Sequence, residues 1–243
     1  MSDQRWVLVH ETDGGPPSEP VGKAIVVGES LLVGREGDLP LGVEVEDRGI
    51  SRKAVQITAT EHGWLVEVGN RNGAMVHPWG QCPIPARRLD ALAWPRIAIR
   101  VLNGSELDTT DSRRHWVLLE ADMIAPTLAG ARESTTSTTS TDQASALGPL
   151  TSQQRAALTF VFADHLQWPP ALPAEVRTLE AAGRALHISA SAVQSRLGGA
   201  IKRAVRLGLP HQVGSTNPEY LYTLVRTGHL PLPRPAARSC TSD

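Results

Sequence analysis

Three short segments in the first half of the chain combine cations with small polar residues: GR at positions 34–35, SRK at positions 51–53 and NRNG at positions 70–73. A guanidinium presents a rigid fork of N–H donors that matches the oxygens of a phosphate or a carboxylate, and a serine adds a hydroxyl and a backbone N–H. An Asn-Gly pair readily adopts the positive φ of a tight turn. These residue types indicate an anion-binding site built from loops. The alternative is a set of ordinary polar turns.

Short β-strands must position these segments. Up to about residue 122 the chain consists of brief runs rich in Val, Ile and Leu, such as RWVLVHE, AVQITAT and RIAIRVL, which are separated by Gly, Pro, Asp and Asn. Several runs alternate polar and apolar residues, a period typical of strands with one buried face. The close spacing of the runs predicts an antiparallel β-sandwich over residues 1–122. Loops mounted on such a rigid frame can converge on one ligand.

The order of the three segments resembles that of the forkhead-associated (FHA) domain. GR comes first, ISR follows it, a pair of strands comes next, and NRNG follows those strands. The resemblance covers residues 5–122, which is about half of the chain. It implies a β-sandwich whose loops at one end bind phosphothreonine peptides. The implied partners are therefore a phosphothreonine-containing protein and the Ser/Thr protein kinase that modifies it.

The resemblance implies a role for each residue of the site. Arg35 is the implied main phosphate ligand, and Ser51 is implied to donate its hydroxyl to the phosphate. Arg52 would lie beside the phosphate or steer the peptide. Asn72 would hydrogen-bond the peptide backbone and shape its loop. The glycines that would allow the turn geometry are Gly34 and Gly73.

Three positions depart from the pattern of the FHA family. Ala54 stands where the family usually has a His that braces the loops, Arg71 replaces a Thr or Ser that contacts the phosphate, and Ala74 replaces a Thr. Arg71 supplies a longer-reaching cation in place of the lost hydroxyl, and Lys53 adds to the positive field. The alternative is a sandwich that keeps the fold and has lost the ligand.

Residues 123–149 are rich in Ser and Thr, and this composition predicts a flexible linker. Its threonines are candidate phosphorylation sites, namely Thr135, Thr136, Thr138 and Thr139. A phosphorylated linker on the same chain is a candidate ligand of the sandwich, since tethering raises its local concentration. The alternative is a plain solvated linker.

The texture becomes helical from Leu150, and residues 150–229 are predicted to form a small all-α domain. Either Thr151 or Ser152 is expected to cap the first helix, and either Ser189 or Ser191 a later one. The segment from 179 to 209 resembles the helix-turn-helix found at the C-terminal end of many bacterial, actinobacterial-type regulators. Residues 230–243 are expected to form a Pro-rich tail.

The long helix of this segment is predicted to have an apolar inner stripe made of Val193, Leu197, Ile201 and Val205. The helix-turn-helix resemblance predicts that its early polar residues reach DNA base edges and that its later cations hold DNA phosphates. The base-contacting candidates are Gln194, Ser195 and Arg196, and the phosphate-contacting candidates are Lys202 and Arg203. Gly198 and Gly199 either permit close helix packing or split the helix. The alternative to DNA binding is a bundle that contacts proteins.

The charge distribution also suggests two modules with different partners. The whole chain of 243 residues has a net charge of −1, but residues 1–122 contain 13 Lys/Arg against 18 Asp/Glu, and residues 151–243 contain 10 against 5. No apolar run is long enough for a signal peptide or a membrane span, which predicts a soluble cytoplasmic protein without a membrane partner. Cys82 and Cys240 have no metal-ligand spacing, and the eight histidines are scattered.

The sequence therefore predicts a multidomain protein in which an FHA-like sandwich is joined by a linker to a helix-turn-helix-like domain. No phosphate-cradling loop and no nucleophile elbow occurs, so neither an enzyme nor a cofactor or metal site is expected. The predicted role is signal transduction by phosphothreonine recognition, coupled to a basic module that binds DNA in transcription regulation. The alternative is a non-enzymatic scaffold with a degenerate pocket and no DNA contact.

Overall fold

The computed structural model describes residues 5–14, 20–105, 113–121, 148–168, 174–209 and 213–233. The chain divides into two compact units, one formed by residues 1–79 and 83–131, and one formed by residues 80–82 and 132–243. The linker threonines and most of the predicted Pro-rich tail lie outside the described residues. No helix in the described ranges is long and apolar enough to cross a membrane.

The first unit is a sandwich of two β-sheets. One sheet has six strands in the order β2-β1-β11-β10-β7-β8, and the other has five in the order β4-β3-β5-β6-β9. Neighbouring strands are antiparallel except for β3 and β4. The strands are β1 Arg5–Thr12, β2 Val21–Ile25, β3 Ser30–Gly34, β4 Leu39–Pro40, β5 Val55–Thr60, β6 Gly63–Val68, β7 Ala74–Pro78, β8 Ile84–Pro85, β9 Leu89–Leu92, β10 Arg96–Val101 and β11 Arg114–Glu120.

The alternation seen in the sequence explains the core of this sandwich. In β5 the side chains of Val55, Ile57 and Ala59 are buried, and the intervening Gln56 is exposed. Each buried Val or Ile side chain contributes about 1.5–3 kcal/mol to folding. The core cluster draws on both sheets, with Val33 and Val66 from one and Ile99 and Val117 from the other.

The strand register places the three polar segments at one end of the sandwich. Val55 pairs with Val33 on one side and with Val68 on the other. The end of β3, the start of β5 and the end of β6 therefore lie at the same end of the five-stranded sheet. In the other sheet Val101 pairs with Ala74 and with His115. The start of β7, the end of β10 and the start of β11 therefore lie at one end of that sheet.

The second unit is a helical bundle. Its helices are α1 Ser152–Val161, α2 Ala163–Leu166, α3 Leu179–Leu186, α4 Ala190–Arg206 and α5 Glu219–Arg226. Thr151 and Gln154 form a reciprocal capping box at the start of α1, and the Ser189 hydroxyl accepts a hydrogen bond from the Ala192 N–H at the start of α4. The apolar faces of the helices meet in one core that contains Leu158, Phe162, Leu197, Tyr220 and Leu224.

The buried stripe of α4 differs from the predicted one. Val193 and Leu197 are buried as expected, but the stripe continues through Ala200 and Ala204. Ile201 is only half-buried, and Val205 is 37% exposed. The prediction repeated every four residues, whereas an α-helix has about 3.6 residues per turn, so a strict four-residue repeat rotates out of the core within three turns.

The two glycines inside α4 do not split the helix, which runs without a break from Ala190 to Arg206. A Cβ atom on Gly199 would lie 2.5 Å from the side-chain Nε2 of Gln154 on α1. Gly199 therefore permits close packing of α4 against α1, which is one of the two predicted alternatives.

A tight turn joins α3 to α4. His187 adopts the left-handed conformation with φ 54°, and the N–H of Ile188 donates to the carbonyl of Gly183 at 2.9 Å. A Cβ atom on Gly183 would lie 2.8 Å from the carbonyl oxygen of Ile188, so the turn folds back closely on α3. Among the described residues other than glycine, His187 alone has a positive φ.

The turn gives a prediction about stability. We expect His187→Val to destabilise the helical unit by about 1–2 kcal/mol relative to His187→Asn, because a β-branched residue is a steric outlier in the left-handed region that Asn and His tolerate. Unfolding of the full chain followed by helical circular dichroism measures the difference. His187 is exposed, so lost core packing does not confuse the comparison. Equal stability of the two variants would contradict the assigned turn conformation.

Candidate functional site

Arg35 lies immediately after β3 and faces the segment that precedes β5. Its backbone N–H donates to the Ser51 carbonyl at 3.3 Å, and its side-chain Nε donates to the Ile50 carbonyl at 2.7 Å. The side chain is half-buried, and its terminal nitrogens contact no acidic group in the described part of the chain. The Nε contact fixes the direction of the guanidinium, and the two terminal nitrogens remain as parallel donors for an anion.

Ser51 connects this segment to the β6–β7 turn. Its hydroxyl oxygen accepts a hydrogen bond from the Arg71 N–H at 3.0 Å, and its own N–H donates to Oδ1 of Asn70 at 2.9 Å. The backbone N–H, which sequence analysis counted among the donors to the anion, is therefore engaged inside the protein. A hydroxyl has one proton and two lone pairs, so a lone pair used by Arg71 leaves the proton for an anion. The predicted donation from this hydroxyl to a phosphate stays a prediction.

Asn70 is the residue that sequence analysis missed. It is 7% exposed, and its side-chain Nδ2 donates to the carbonyls of Gly73 at 2.9 Å and Leu102 at 2.7 Å. Together with the contact to Ser51, one amide joins three chain segments. The sequence did contain a clue to this role. An Asn-Gly turn requires only the second Asn of NRNG, so the first Asn, Asn70, called for a separate explanation.

We expect Asn70→Ala to destabilise the sandwich by about 2–4 kcal/mol, because it leaves partly buried backbone groups of Ser51 and Leu102 without a side-chain partner. Tryptophan fluorescence during urea unfolding reports mainly on this unit, since five of the six tryptophans lie at or before residue 116. Asn72→Ala is the matched control in the same turn, and its exposed amide is expected to contribute about 1 kcal/mol or less. A control loss as large as the Asn70→Ala loss would contradict the assigned role of Asn70.

Asn72 connects its turn to the loop that contains Gly49. Its side-chain Nδ2 donates to the Gly49 carbonyl at 3.0 Å, and its amide lies beside Gly104. The side chain is exposed, and its predicted contact with a peptide backbone stays a prediction.

The exposed cations around Arg35 are not equivalent. Arg52 Nε lies 3.3 Å from Oε1 of Glu36, and the two side chains are 72% and 62% exposed, so this ion pair contributes little to stability but neutralises one charge. The side chains of Lys53 and Arg71 are exposed and form no ion pair with the described residues. Arg35, Lys53 and Arg71 are therefore the cations of these three segments that have no ion-pair partner among the described residues.

Gly34 and Gly73 are both required, for different reasons. A Cβ atom on Gly34, which has φ 155°, would lie 2.4 Å from the Arg52 carbonyl oxygen and 2.7 Å from the Ala54 nitrogen. Gly34 therefore lets two chain segments approach each other closely. The sequence had predicted only that this glycine allows the geometry of a turn. Gly73 has φ 81° and open space around it, so it serves the conformation of the turn.

Ala54 occupies the position of the family's bracing His and is fully buried. Its N–H donates to the Val33 carbonyl, and its carbonyl accepts from the Gly69 N–H, both at 2.9 Å. The backbone thus stays in the sheet, but a methyl group can donate no hydrogen bond to the loops. Any side-chain bracing of the loops must come from other residues.

The helical unit places the predicted DNA-contacting residues on different surfaces. Gln194, Ser195 and Lys202 are exposed on α4, and Arg196 is half-buried. Arg203 is also half-buried, and its Nη1 donates to the Gly148 carbonyl. This guanidinium thus contacts the chain that leads into α1, and its predicted contact with a DNA phosphate stays a prediction. The residues that α4 presents together are Gln194, Ser195 and Lys202.

Comparisons with known proteins concern the fold. No protein-family model matches the chain, and no curated protein matches it. The FHA domain of the CT664 protein from Chlamydia trachomatis has a TM-score of 0.32 and 17% identity, with 48% of this chain and 96% of that chain covered. FHA-1 of Rv1747 from Mycobacterium tuberculosis has a TM-score of 0.29 and 14% identity, with 47% of this chain and 96% of that chain covered.

A third solved structure is the FhaA FHA domain complexed with the intracellular domain of Rv3910, with a TM-score of 0.27, 21% identity, and coverage of 46% of this chain and 98% of that one. The N-terminal β-sandwich resembles these FHA domains in fold, and no residue role is transferred from them. Among the described residues, no group of His, Cys, Asp and Glu is arranged to hold a metal ion.

Proposed function

We propose that the β-sandwich binds peptides that carry phosphothreonine, at the end formed by Arg35, Ser51 and the β6–β7 turn. The observation that supports this most is the pair of terminal nitrogens on Arg35, which are held in place by the Nε contact and face no acidic partner among the described residues. The hydroxyl proton of Ser51 lies at the same junction of loops. A phosphate offers three strong acceptor oxygens to these donors.

The charge of the site suits the same ligand. A phosphothreonine carries about −1.5 to −2 charges at neutral pH. Arg35, Lys53 and Arg71 together exceed that charge, whereas Arg52 is balanced by Glu36. Arg71 lies next to Ser51 through its backbone N–H, so its guanidinium can reach the phosphate in place of the hydroxyl that the family usually supplies. The oxygen of the Asn72 amide remains for a peptide N–H.

A degenerate peptide library tests this proposal. The full chain is incubated with phosphothreonine, phosphoserine and unmodified threonine versions of the same library, and the retained peptides are identified by mass spectrometry. We expect retention that depends on the phosphate. Equal retention of the modified and unmodified libraries would identify the sandwich as a scaffold that has kept the fold without the ligand, which is the alternative function.

The implied partners are a Ser/Thr protein kinase and its substrate, and the chain's own linker is one candidate substrate. Thr135, Thr136, Thr138 and Thr139 lie outside the described residues. A tethered phosphothreonine would compete with an added peptide, because its effective concentration is high. After verified phosphorylation of the linker, the affinity for an added phosphopeptide is expected to fall, and an unchanged affinity would exclude this regulation.

A second candidate function is DNA binding by the helical unit. The observation that favours it is the left-handed turn at His187 between α3 and α4, together with Gln194, Ser195 and Lys202 on the exposed side of α4. Residues 151–243 also contain 10 Lys/Arg against 5 Asp/Glu. The competing proposal is a bundle that contacts another protein, which would make the whole chain a non-enzymatic adaptor. In both cases we propose a regulatory, non-catalytic role.

Salt dependence separates the two proposals. For a DNA-binding unit that neutralises two or three phosphates, the affinity of the full chain for nonspecific DNA is expected to fall roughly 10- to 40-fold between about 50 and about 200 mM salt. Lys202→Ala is expected to reduce the slope of log affinity against log salt by about 1. Arg155→Ala removes an exposed charge on α1 and is the matched control with an unchanged slope. Equal slopes for all three proteins would contradict DNA contact by α4.

A further inference from the structure

A buried chain of charged side chains lies beneath the loops of the sandwich. His115 is 1% exposed, and it stands between Glu11 on β1 and Asp47 in the loop that follows β4. Its Nδ1 lies 2.6 Å from Oε1 of Glu11, and its Nε2 lies 3.0 Å from Oδ2 of Asp47. The two carboxylates are 3% and 4% exposed. Each ring nitrogen of His115 therefore lies within hydrogen-bonding distance of one carboxylate oxygen.

The two carboxylates reach outward from His115 to the backbone of one loop. Oε1 of Glu11 accepts from the Gly42 N–H at 2.6 Å, and Oδ1 of Asp47 accepts from the Gly49 N–H at 2.8 Å. The loop between β4 and β5 is therefore held at both ends of the stretch 42–49. Hydrogen bonds between charged and backbone groups are among the stronger ones in proteins.

Asp47 is further secured from the β10–β11 connection. Nδ2 of Asn103 donates to Oδ2 of Asp47 at 2.7 Å, and Nη1 of Arg113 lies 3.6 Å from the same oxygen. Burial raises the pKa of Asp47, but the hydrogen bonds from Asn103, Gly49 and His115 and the charge of His115 outweigh it and hold the pKa below its ordinary value. A Cβ atom on Gly49 would lie 2.1 Å from the Asn103 carbonyl oxygen, so the loop touches this connection directly.

The last residue of the stretch 42–49, Gly49, and the two residues after it form one wall of the candidate site. The Gly49 carbonyl accepts from Nδ2 of Asn72, and the Ile50 carbonyl accepts from Nε of Arg35. Ser51 comes next, with the hydroxyl proposed to donate to phosphate. A displacement of residues 49–51 would therefore move Arg35, Ser51 and Asn72 together.

We propose that Glu11, His115 and Asp47 are positioning residues of the phosphopeptide site, which hold residues 49–51 in the geometry that binds phosphate. This inference rests on the proposed function of the sandwich. It also explains how the loops are braced although Ala54 has no hydrogen-bonding side chain. Removing one member of a buried ionic network leaves the others uncompensated, so the loop gains access to other conformations.

The size of the effect follows from population arithmetic. The apparent affinity falls in proportion to the fraction of molecules in the competent conformation, so a loop that is correctly placed in one molecule in ten binds about tenfold more weakly. A positioning role thus lowers affinity while the sandwich stays folded. A merely structural role lowers stability and leaves the affinity of the folded molecules unchanged.

The test compares Asp47→Asn with Val117→Ala in the full chain. Val117 lies two residues from His115 on the same face of β11 and is fully buried in the core, so its truncation destabilises the sandwich without touching the loop. For each protein the melting temperature, the affinity for a phosphothreonine peptide selected from the library, and the amide NMR signals of Gly42 and Gly49 are measured.

We expect Asp47→Asn to bind at least about tenfold more weakly and to shift the Gly49 amide signal. Val117→Ala is expected to melt earlier with unchanged affinity. The proposal would be overturned if Asp47→Asn bound the phosphopeptide with wild-type affinity. It would also be overturned if the affinity of Val117→Ala fell as its melting temperature fell, because loss of stability alone would then explain weaker binding.

Two arms keep the outcome decisive. If Asp47→Asn does not fold, Asn103→Ala takes its place, because it removes one hydrogen-bond donor to Asp47. We expect this variant to bind the phosphopeptide more weakly than the wild type, by a smaller factor, and to shift the Gly49 amide signal. Wild-type affinity and an unshifted Gly49 signal would overturn the positioning role. If the wild-type chain binds no phosphopeptide, the proposed function fails. The amide exchange rates of residues 49–51 then test whether Glu11, His115 and Asp47 hold this segment. Faster exchange in Asp47→Asn than in Val117→Ala would support that role, and equal exchange in the two variants would overturn it.

Discussion

The Arg35→Ala variant is expected to bind a phosphothreonine peptide at least about 100-fold more weakly than the wild-type chain. The substitution removes two parallel charge-assisted hydrogen bonds to phosphate, and hydrogen bonds to charged groups contribute about 1.5–3 kcal/mol each. Isothermal titration with the peptide selected from the library measures the loss. Arg35→Lys keeps the charge but loses the fork of donors, so an intermediate affinity is expected.

The control for this prediction is Lys23→Ala on β2. Lys23 is exposed, and it pairs in register with Val7 in the middle of β1, away from the strand ends that form the site. The Lys23→Ala substitution removes one positive charge from the same unit, as Arg35→Ala does. The affinity of this variant for the phosphopeptide is expected to equal that of the wild type. A loss in Lys23→Ala as large as that in Arg35→Ala would mean that net charge, and not a phosphate fork, determines binding.

The Gly34→Ala variant is expected to lose about 2–4 kcal/mol of stability and most of its phosphopeptide affinity. The new Cβ atom would lie 2.4 Å from the Arg52 carbonyl oxygen, which is well inside contact distance, so the segment that carries Ser51 must move away from Arg35. The positive φ adds backbone strain, because a Gly-to-Ala change where φ is positive destabilises by more than about 1 kcal/mol. Urea unfolding and peptide titration measure the two losses.

The matched control for Gly34→Ala is Gly28→Ala in the β2–β3 turn. Gly28 also has a positive φ, 92°, but no atom lies within 4 Å of the position that a Cβ atom would take there. This variant is expected to show the strain alone, about 1–2 kcal/mol, with normal affinity. Equal effects of the two substitutions would show that the close approach of the loops at Gly34 has no consequence for the site.

The sandwich could be anticipated from the sequence because its evidence is local. The alternation in VQITAT predicts which side chains of β5 are buried, and Gly, Pro and Asn mark the turns between strands. The order of GR, ISR and NRNG predicted which loops meet, and the strand register brings them to one end.

What the sequence could not show are contacts between residues far apart in the chain. His115 is 104 residues from Glu11 and 68 from Asp47, and no local period connects them. The hydrogen bond from Ser51 to Asn70 spans 19 residues and removes a donor that looked available. In α4 the predicted four-residue repeat was wrong at its end, because the helix turns slightly further per residue than that repeat assumes.

The most direct test of the central claim is an NMR titration of the full chain with the phosphothreonine peptide and its unmodified counterpart. We expect that only the phosphopeptide shifts the amide signals of Ser51, Arg71 and Gly73 together with the side-chain signals of Arg35. Signals that move elsewhere, or that move equally with the unmodified peptide, would contradict a phosphate site at this end of the sandwich.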